Sequence, residues 1–131
     1  MAGFSDYLEN KVLTHVFGGT AYTAPSTLYV GLYTAASSDS GGGTEVSGGS
    51  YARKSTANMT VSGTSPTQAT NGAAIEFVTA TGSWGTVTHV GVFDALTSGN
   101  LLGWAALTAS KTVSSGDVFR FDAGDLDITL A

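Results

Sequence analysis

The chain has 131 residues and no cysteine, a length that fits one domain able to bury a core without metal or disulfide support. Charged side chains make up only 11% of it, with Gly, Ser and Thr abundant in their place, and ten acidic against five basic residues leave a formal net charge of −5. So few cations, with no run longer than the pair Arg53-Lys54, exclude a phosphate-neutralising nucleic-acid surface, and no stretch reaches the roughly 18–20 apolar residues of a membrane-spanning helix.

The first residues lack the basic-then-apolar order of a secretion signal, because Asp6 and Glu9 stand where the apolar run belongs. Synthesis and folding in a host cytoplasm are therefore expected. From Gly3 to Phe17 the residues Phe4, Leu8, Val12 and Val16 fall four apart, and Leu13 and Phe17 widen the stripe. That spacing predicts an amphipathic helix within residues 1–19, with Ser5 as its N-cap and Gly18-Gly19 as its stop. Its apolar face must pack on the body of its own subunit or on a neighbour.

Thr27 to Thr34 alternates as a strand, with Leu28, Val30 and Leu32 toward the core and Tyr29, Gly31 and Tyr33 on the other face. Ala35 to Ser50 reads AASSDSGGGTEVSGGS, too polar and glycine-rich to pack; it is expected to be an exposed loop that is loose or ordered only by a partner. Tyr51 to Val61 predicts one or two edge strands guarded by the charges of Arg53 and Lys54. Ala73 to Thr79 predicts a further strand, with Ile75 and Phe77 on one face and Glu76 on the other.

Ser83 to Trp104, SWGTVTHVGVFDALTSGNLLGW, is the densest stretch. Val87–Asp94 and Leu101–Leu107 predict a hairpin around Ala95–Asn100, where Gly99 and Asn100 are the residues best suited to positive φ. Val90 and Val92 share one face, while Val87, His89 and Phe93 share the other. Neither face is polar, which predicts a place in the middle of a sheet. Short strands at 111–113, 118–122 and 125–130 follow, the last with Leu126, Ile128 and Leu130 pointing one way. The whole predicts a single domain, 1–131. Residues 27–131 form an all-β, antiparallel, jelly-roll-like β-sandwich of seven or eight short strands, preceded by one α-helix.

Chemistry is scarce. The two histidines, His15 and His89, have no nucleophile elbow near them and cannot supply a zinc site, so neither enzymatic activity nor a cofactor is expected. Asp117, Asp122, Asp125 and Asp127 are the one carboxylate cluster that offers a Ca²⁺ reading, against which stands the ordinary use of acidic residues in turns. Trp84 and Trp104 offer sugar-stacking platforms or, with Gly beside each, anchors of a core or subunit interface; the second reading takes precedence.

The segments SDYLENKVLTHVFGGTAYTAPSTLYVGLYTA, GGGTEVSGGSYAR and GSWGTVTHVGVFDALTSGNLLGWAALTASKTVSSGD together resemble a family of small virion proteins of tailed bacteriophages, often labelled tail fibre proteins. The resemblance covers nearly the whole chain and departs most at Tyr51 to Gln68. It implies a β-sandwich structural part of the virion with no enzymatic residues. A chain this short and without repeats cannot form a fibre shaft. The expected role is a capsid decoration, or cement, protein that binds the assembled shell, the alternative being a tail fibre, tail-tip or neck accessory protein with receptor or glycan binding. The expected partners are the major capsid protein or other virion proteins and further copies of the chain, with neither nucleic acid nor membrane. The expected contacts are Phe4, Leu8, Val12, Val16 and Phe17 on the helix, Glu45, Val46 and Tyr51 in and after the glycine-rich loop, and Trp84 and Trp104.

Overall fold

The computed structural model describes residues 3–64 and 66–130, apart from the Leu130 side chain. Among the described residues, β1 (Gly3–Phe4) and α1 (Asp6–Val16) are followed by β2 (Leu28–Ala35), β3 (Thr44–Glu45), β4 (Lys54–Thr56), β5 (Thr60–Ser62), β6 (Thr67–Thr70) and β7 (Ile75–Glu76). Then come β8 (Gly85–Phe93), β9 (Leu101–Val113), β10 (Arg120–Phe121) and β11 (Asp127–Leu130). The protein is thus mostly β and antiparallel with one helix near its start, as expected, and sandwich-like without closing into a barrel.

The main sheet runs in the order β1-β9-β8-β2-β3, with β4 also paired to β2. The strand at its centre, β8, is the one whose two apolar faces predicted that position. Two small sheets, β7-β10 and β5-β6-β11, supply the facing layer. The alternation in β2 sends Val30 and Leu32 into the core from one side, and Ile75, Phe77, Phe119, Phe121 and Leu126 meet them from the other. Asn71, fully buried, ties the facing layer together. Its Nδ2 donates to the Ala73 and Asp122 carbonyls, and its Oδ1 accepts from Leu126 N–H, all at 2.9 Å.

An aromatic group closes the core. Trp84 meets Tyr51 edge-on at 5.3 Å between centroids, and Phe77 stacks against Tyr51 at 6.4 Å. Trp84 Nε1 donates to the Gly49 carbonyl at 2.9 Å. Gly49 sits at φ 55°, and a Cβ there would lie 2.9 Å from the indole ring, so only glycine lets the loop come close enough to receive that bond.

Several expectations change in the folded chain. Phe4 belongs to β1 and pairs with Gly103, not to the helix, because Ser5 caps the helix one residue later. Ala35–Ser50 is held by its own chain: Thr44 and Glu45 pair with β2, Val46 N–H donates to Leu32 at 2.9 Å, and Val46 is buried. Val87 joins Val90 and Val92 on the core face. The cause is a bulge in which Leu107 to Ser110 of β9 stand opposite Thr88 alone, which turns the strand over between Val87 and His89. In the hairpin turn the left-handed residues are Ser98 and Gly99, one place earlier than expected. Asn100 instead donates its N–H and Nδ2 to the Asp94 carboxylate at 2.7 and 2.9 Å. Ile75 and Phe77 are buried as expected, but the strand there shortens to Ile75–Glu76.

Trp84→Ala removes the centre of this aromatic group and leaves the Gly49 carbonyl only its bond from Thr81 N–H. A loss of about 3–5 kcal/mol in urea unfolding is expected, where Phe17→Ala at the exposed helix end stays within about 0.5 kcal/mol.

Candidate functional site

Two surface features stand out, a cleft on the outer face of the main sheet and the far end of the helix. The cleft begins with two glycines. Gly31 and Gly91 are cross-strand partners on β2 and β8, and their missing Cβ atoms open a trough on the face away from the core. Tyr33 and Phe93 fill it, stacked at 6.3 Å with 12° between their planes. A Cβ on Gly91 would lie 2.9 Å from Tyr33 Cε1 and 3.2 Å from Phe93 Cε1. The sheet is therefore buried on both sides here, with Tyr33 and Phe93 each 5% exposed.

Arg53 lies over this pair, its guanidinium carbon 3.5 Å from the Phe93 ring centre. Nε and Nη2 each donate to the Glu45 carboxylate at 2.9 Å, and Nη1 donates to the Ala95 and Ser98 carbonyls at 3.0 and 2.8 Å. The residue expected to guard a sheet edge is instead a clip joining β3, the β8–β9 turn and the aromatic floor. Burial opposes its charge, but the bonds to Glu45 outweigh that and hold its pKa above the usual value.

Tyr51 links this node to the core. Its ring packs with Trp84 and Phe77, while its hydroxyl accepts from Leu32 N–H at 2.9 Å and donates to Glu45 Oε2 at 2.7 Å. Burial first, then the neighbouring Glu45, raise its pKa; burial and Glu45 likewise push Tyr33 up to about 12.

Above the floor, three segments form the walls of a cleft of about 520 Å³: the helix start, the Asp39–Gly42 loop and the hairpin turn. Each wall is pinned. Ser5 Oγ donates to the Leu101 carbonyl and accepts from Leu8 N–H at 3.2 Å. The Asp39 carbonyl accepts from Asp6 N–H, and Asp39 Oδ1 accepts from Trp104 Nε1, both at 2.8 Å. Tyr7 lines this cleft and a neighbouring one of about 400 Å³ with Tyr22, Tyr29 and Asp94. Burial, and then Tyr7 and Asp94, raise the Tyr22 pKa.

The helix is the second feature. Phe4 and Leu8 border an apolar groove of about 300 Å³ with Leu28, Met59, Val92 and Ile128, and Val12 is half-buried. Beyond it no described residue covers the stripe: Leu13 is 58% exposed, Val16 61% and Phe17 82%. No helix residue is fully buried.

The residues singled out in the sequence thus scatter. Val16 and Phe17 lie at the open helix tip, Phe4, Leu8 and Val12 at its base, and Glu45 and Tyr51 in the clip. Val46 and Trp84 are in the core, 5% and 4% exposed, where no partner reaches them in the folded chain. Trp104 is half-buried beside His89 and positions Asp39. The four aspartates hold local structure: Asp117 accepts from Ser114 N–H, Asp125 from Asp122 N–H, Asp127 from Thr70 Oγ1 and Asp122 from Arg120. Among the described residues no three His, Asp or Glu side chains gather in a way that could hold a metal ion. Sequence reading missed Arg53, Tyr7 and Asp39; an arginine two places after a tyrosine and near a lone glutamate is the only local sign of the clip.

A family model described as Podophage GP4 fiber I protein gp80 matches residues 3–129. The chain belongs to this family. It is therefore a small structural protein of a tailed-phage virion. No curated protein matches the chain.

Two measurements probe the clip. Arg53→Ala leaves Glu45 with only its bond from Tyr51, frees the turn carbonyls, and is expected to cost about 3 kcal/mol in urea unfolding. Tyr33, with its folded pKa raised, keeps its proton in the native state after an unfolded tyrosine has lost its own near pH 10, so stability is intact below about pH 10 and falls as pH rises from there toward 12. Unfolding midpoints measured across that range should decline, and Tyr33→Phe should flatten the decline.

Proposed function

We propose that the protein is a compact subunit of a tailed-phage fibre, joined to another virion protein by the exposed end of α1. The observation that carries this is the row Leu13, Val16 and Phe17, three large apolar side chains left open at the end of a helix whose first turns are anchored. On a protein with so few charges to keep copies apart, such a row belongs against a partner. The fibre description of the family agrees with it. A compact body without internal repeats suits a base, collar or tip module of the fibre better than a repeating shaft. On this reading the subunit works by contact, in keeping with the fibre description of its family. Further copies of the chain are the natural neighbours in a symmetric fibre.

A second reading, a decoration protein spread over the major capsid protein, draws on the 11% charged content and hydroxyl-rich surface, which suit extensive coverage by other subunits. Copy number separates the two. Quantitative mass spectrometry of purified virions, referenced to the major capsid protein, should find tens of copies or fewer for a fibre subunit; hundreds would establish decoration and overturn the fibre reading. Phe17→Asp should leave the purified chain folded while removing it from virions, and normal incorporation of that variant would exclude attachment through the helix tip.

A further inference from the structure

We infer that the outer-face cleft beside Tyr7 is a binding site for a neutral, polyhydroxylated ligand, a saccharide without acidic groups. The cleft and its neighbour, about 520 and 400 Å³, share Tyr7 and lie within the roughly 300–1,000 Å³ span of small-ligand sites. The walls do not have to be ordered by a ligand, because Arg53, Ser5 and Trp104 already fix the hairpin turn, the helix start and the glycine loop.

The chemistry of the lining selects the ligand class. Arg53 is the one guanidinium or ammonium group among the described lining residues, and its Nε, Nη1 and Nη2 are all engaged by Glu45 and by turn carbonyls. A phosphate, sulfate or carboxylate group entering the cleft would meet Asp6 and Asp39, with Arg53 already engaged and the Lys11 ammonium outside the lining, 5.5 Å from the Tyr7 ring centre. An apolar ligand would leave the Ser98 hydroxyl and the unengaged carboxylate oxygens of Asp6 and Asp39 without water or partners. A cation is served poorly, since both oxygens of Asp94 are spent on Asn100, one of Asp39 on Trp104, and the remaining carboxylates stand on different walls.

What the cleft offers is hydrogen-bond acceptors, a hydroxyl and an aromatic edge. Among the described residues no donor engages Asp39 Oδ2 or the Asp6 side chain, the Ser98 hydroxyl is unspent, and Tyr7 is a half-exposed ring that Tyr22 braces edge-on at 6.4 Å. Carboxylate acceptors take the O–H donors of a sugar, and the ring takes its C–H face. This inference does not rest on where the subunit sits in the virion, and its test uses the purified chain alone.

The chain is passed over immobilised neutral oligosaccharides and, in parallel, over sialylated and sulfated ones, and spermidine is titrated calorimetrically. Retention on at least one neutral oligosaccharide is expected. Asp6→Asn should weaken it about tenfold or more with the fold intact by circular dichroism, and Asp39→Asn, whose amide oxygen can keep the Trp104 bond, should do the same. Among the described residues no donor engages the Asp6 side chain, so its replacement costs the structure only the small favourable effect of a carboxylate in the helix's first turn. Retention on acidic saccharides alone, binding of spermidine alone, no retention at all, or full retention by both variants overturns the inference.

Discussion

Gly31 and Gly91 face one another across β2 and β8, and the absence of two Cβ atoms shapes the whole outer face. Were either residue alanine, its Cβ would lie 2.8 Å from Glu45 Oε2 or 2.9 Å from Tyr33 Cε1. The rings of Tyr33 and Phe93 lie down in the space so made. Because they are buried there, the sheet acquires a second apolar layer opposite the main core, and that layer has to be roofed. Arg53 is the roof. Its planar guanidinium lies flat on Phe93 while its edge forms a two-pronged bond to Glu45, a combination open to arginine and closed to lysine, whose ammonium is a point donor.

The same residue shows why a partly buried ion pair is tolerable at this place. Removing Arg53 and Glu45 from water is costly, and their mutual attraction alone would not recover the cost. Here each partner has a second use. Glu45 also accepts from Tyr51, and Arg53 also closes the hairpin turn, so the desolvated charges replace nearly all the hydrogen bonds they gave up. The consequence is geometric. One side chain sets the distance between the glycine-rich loop, the hairpin turn and the aromatic floor, which are the parts that define the cleft.

Much of this framework could be read from the residues. The alternation of Leu28, Val30 and Leu32, the turn vocabulary of Ala95–Asn100, and the Ser5 cap each write their structure locally, through a period or a hydrogen bond within a few residues. The doubly apolar β8 announced a central strand for the same reason. What escaped was non-local or non-periodic. The four-residue bulge at Leu107–Ser110 moves Val87 to the core, and no alternation rule contains it. The Ala35–Ser50 segment packs by backbone bonds and one buried valine, so its composition looked loose while its geometry is fixed. Arg53 resembles any edge cation until Glu45, Phe93 and the turn arrive from distant positions. Val46, read as a contact with other proteins, packs into the chain's own interior, and Trp84, read as an anchor of a core or of a subunit interface, anchors the core. Phe4 followed the helical spacing by coincidence, since the four-residue interval to Leu8 is kept although the helix starts after it.

The helix raises a different question of magnitude. At eleven residues it is shorter than the roughly 12–15 needed for even a good isolated helix to be marginally stable in water. It persists because Ser5 locks its start and Leu8 and Val12 rest on the body. The open tip contributes nothing to that. Full burial of three such side chains is worth roughly 1.5–3 kcal/mol each, so one tip in one socket supplies at most about 5–9 kcal/mol. Association costs a similar amount in lost translational and rotational freedom, roughly 4–15 kcal/mol. A single tip therefore holds a partner weakly, whatever the partner is. Firm attachment follows only when several tips engage together or when the weakly charged sheet face adds area beside them, and a closed ring of copies does both at once, since each copy after the first binds at the high local concentration set by its neighbours.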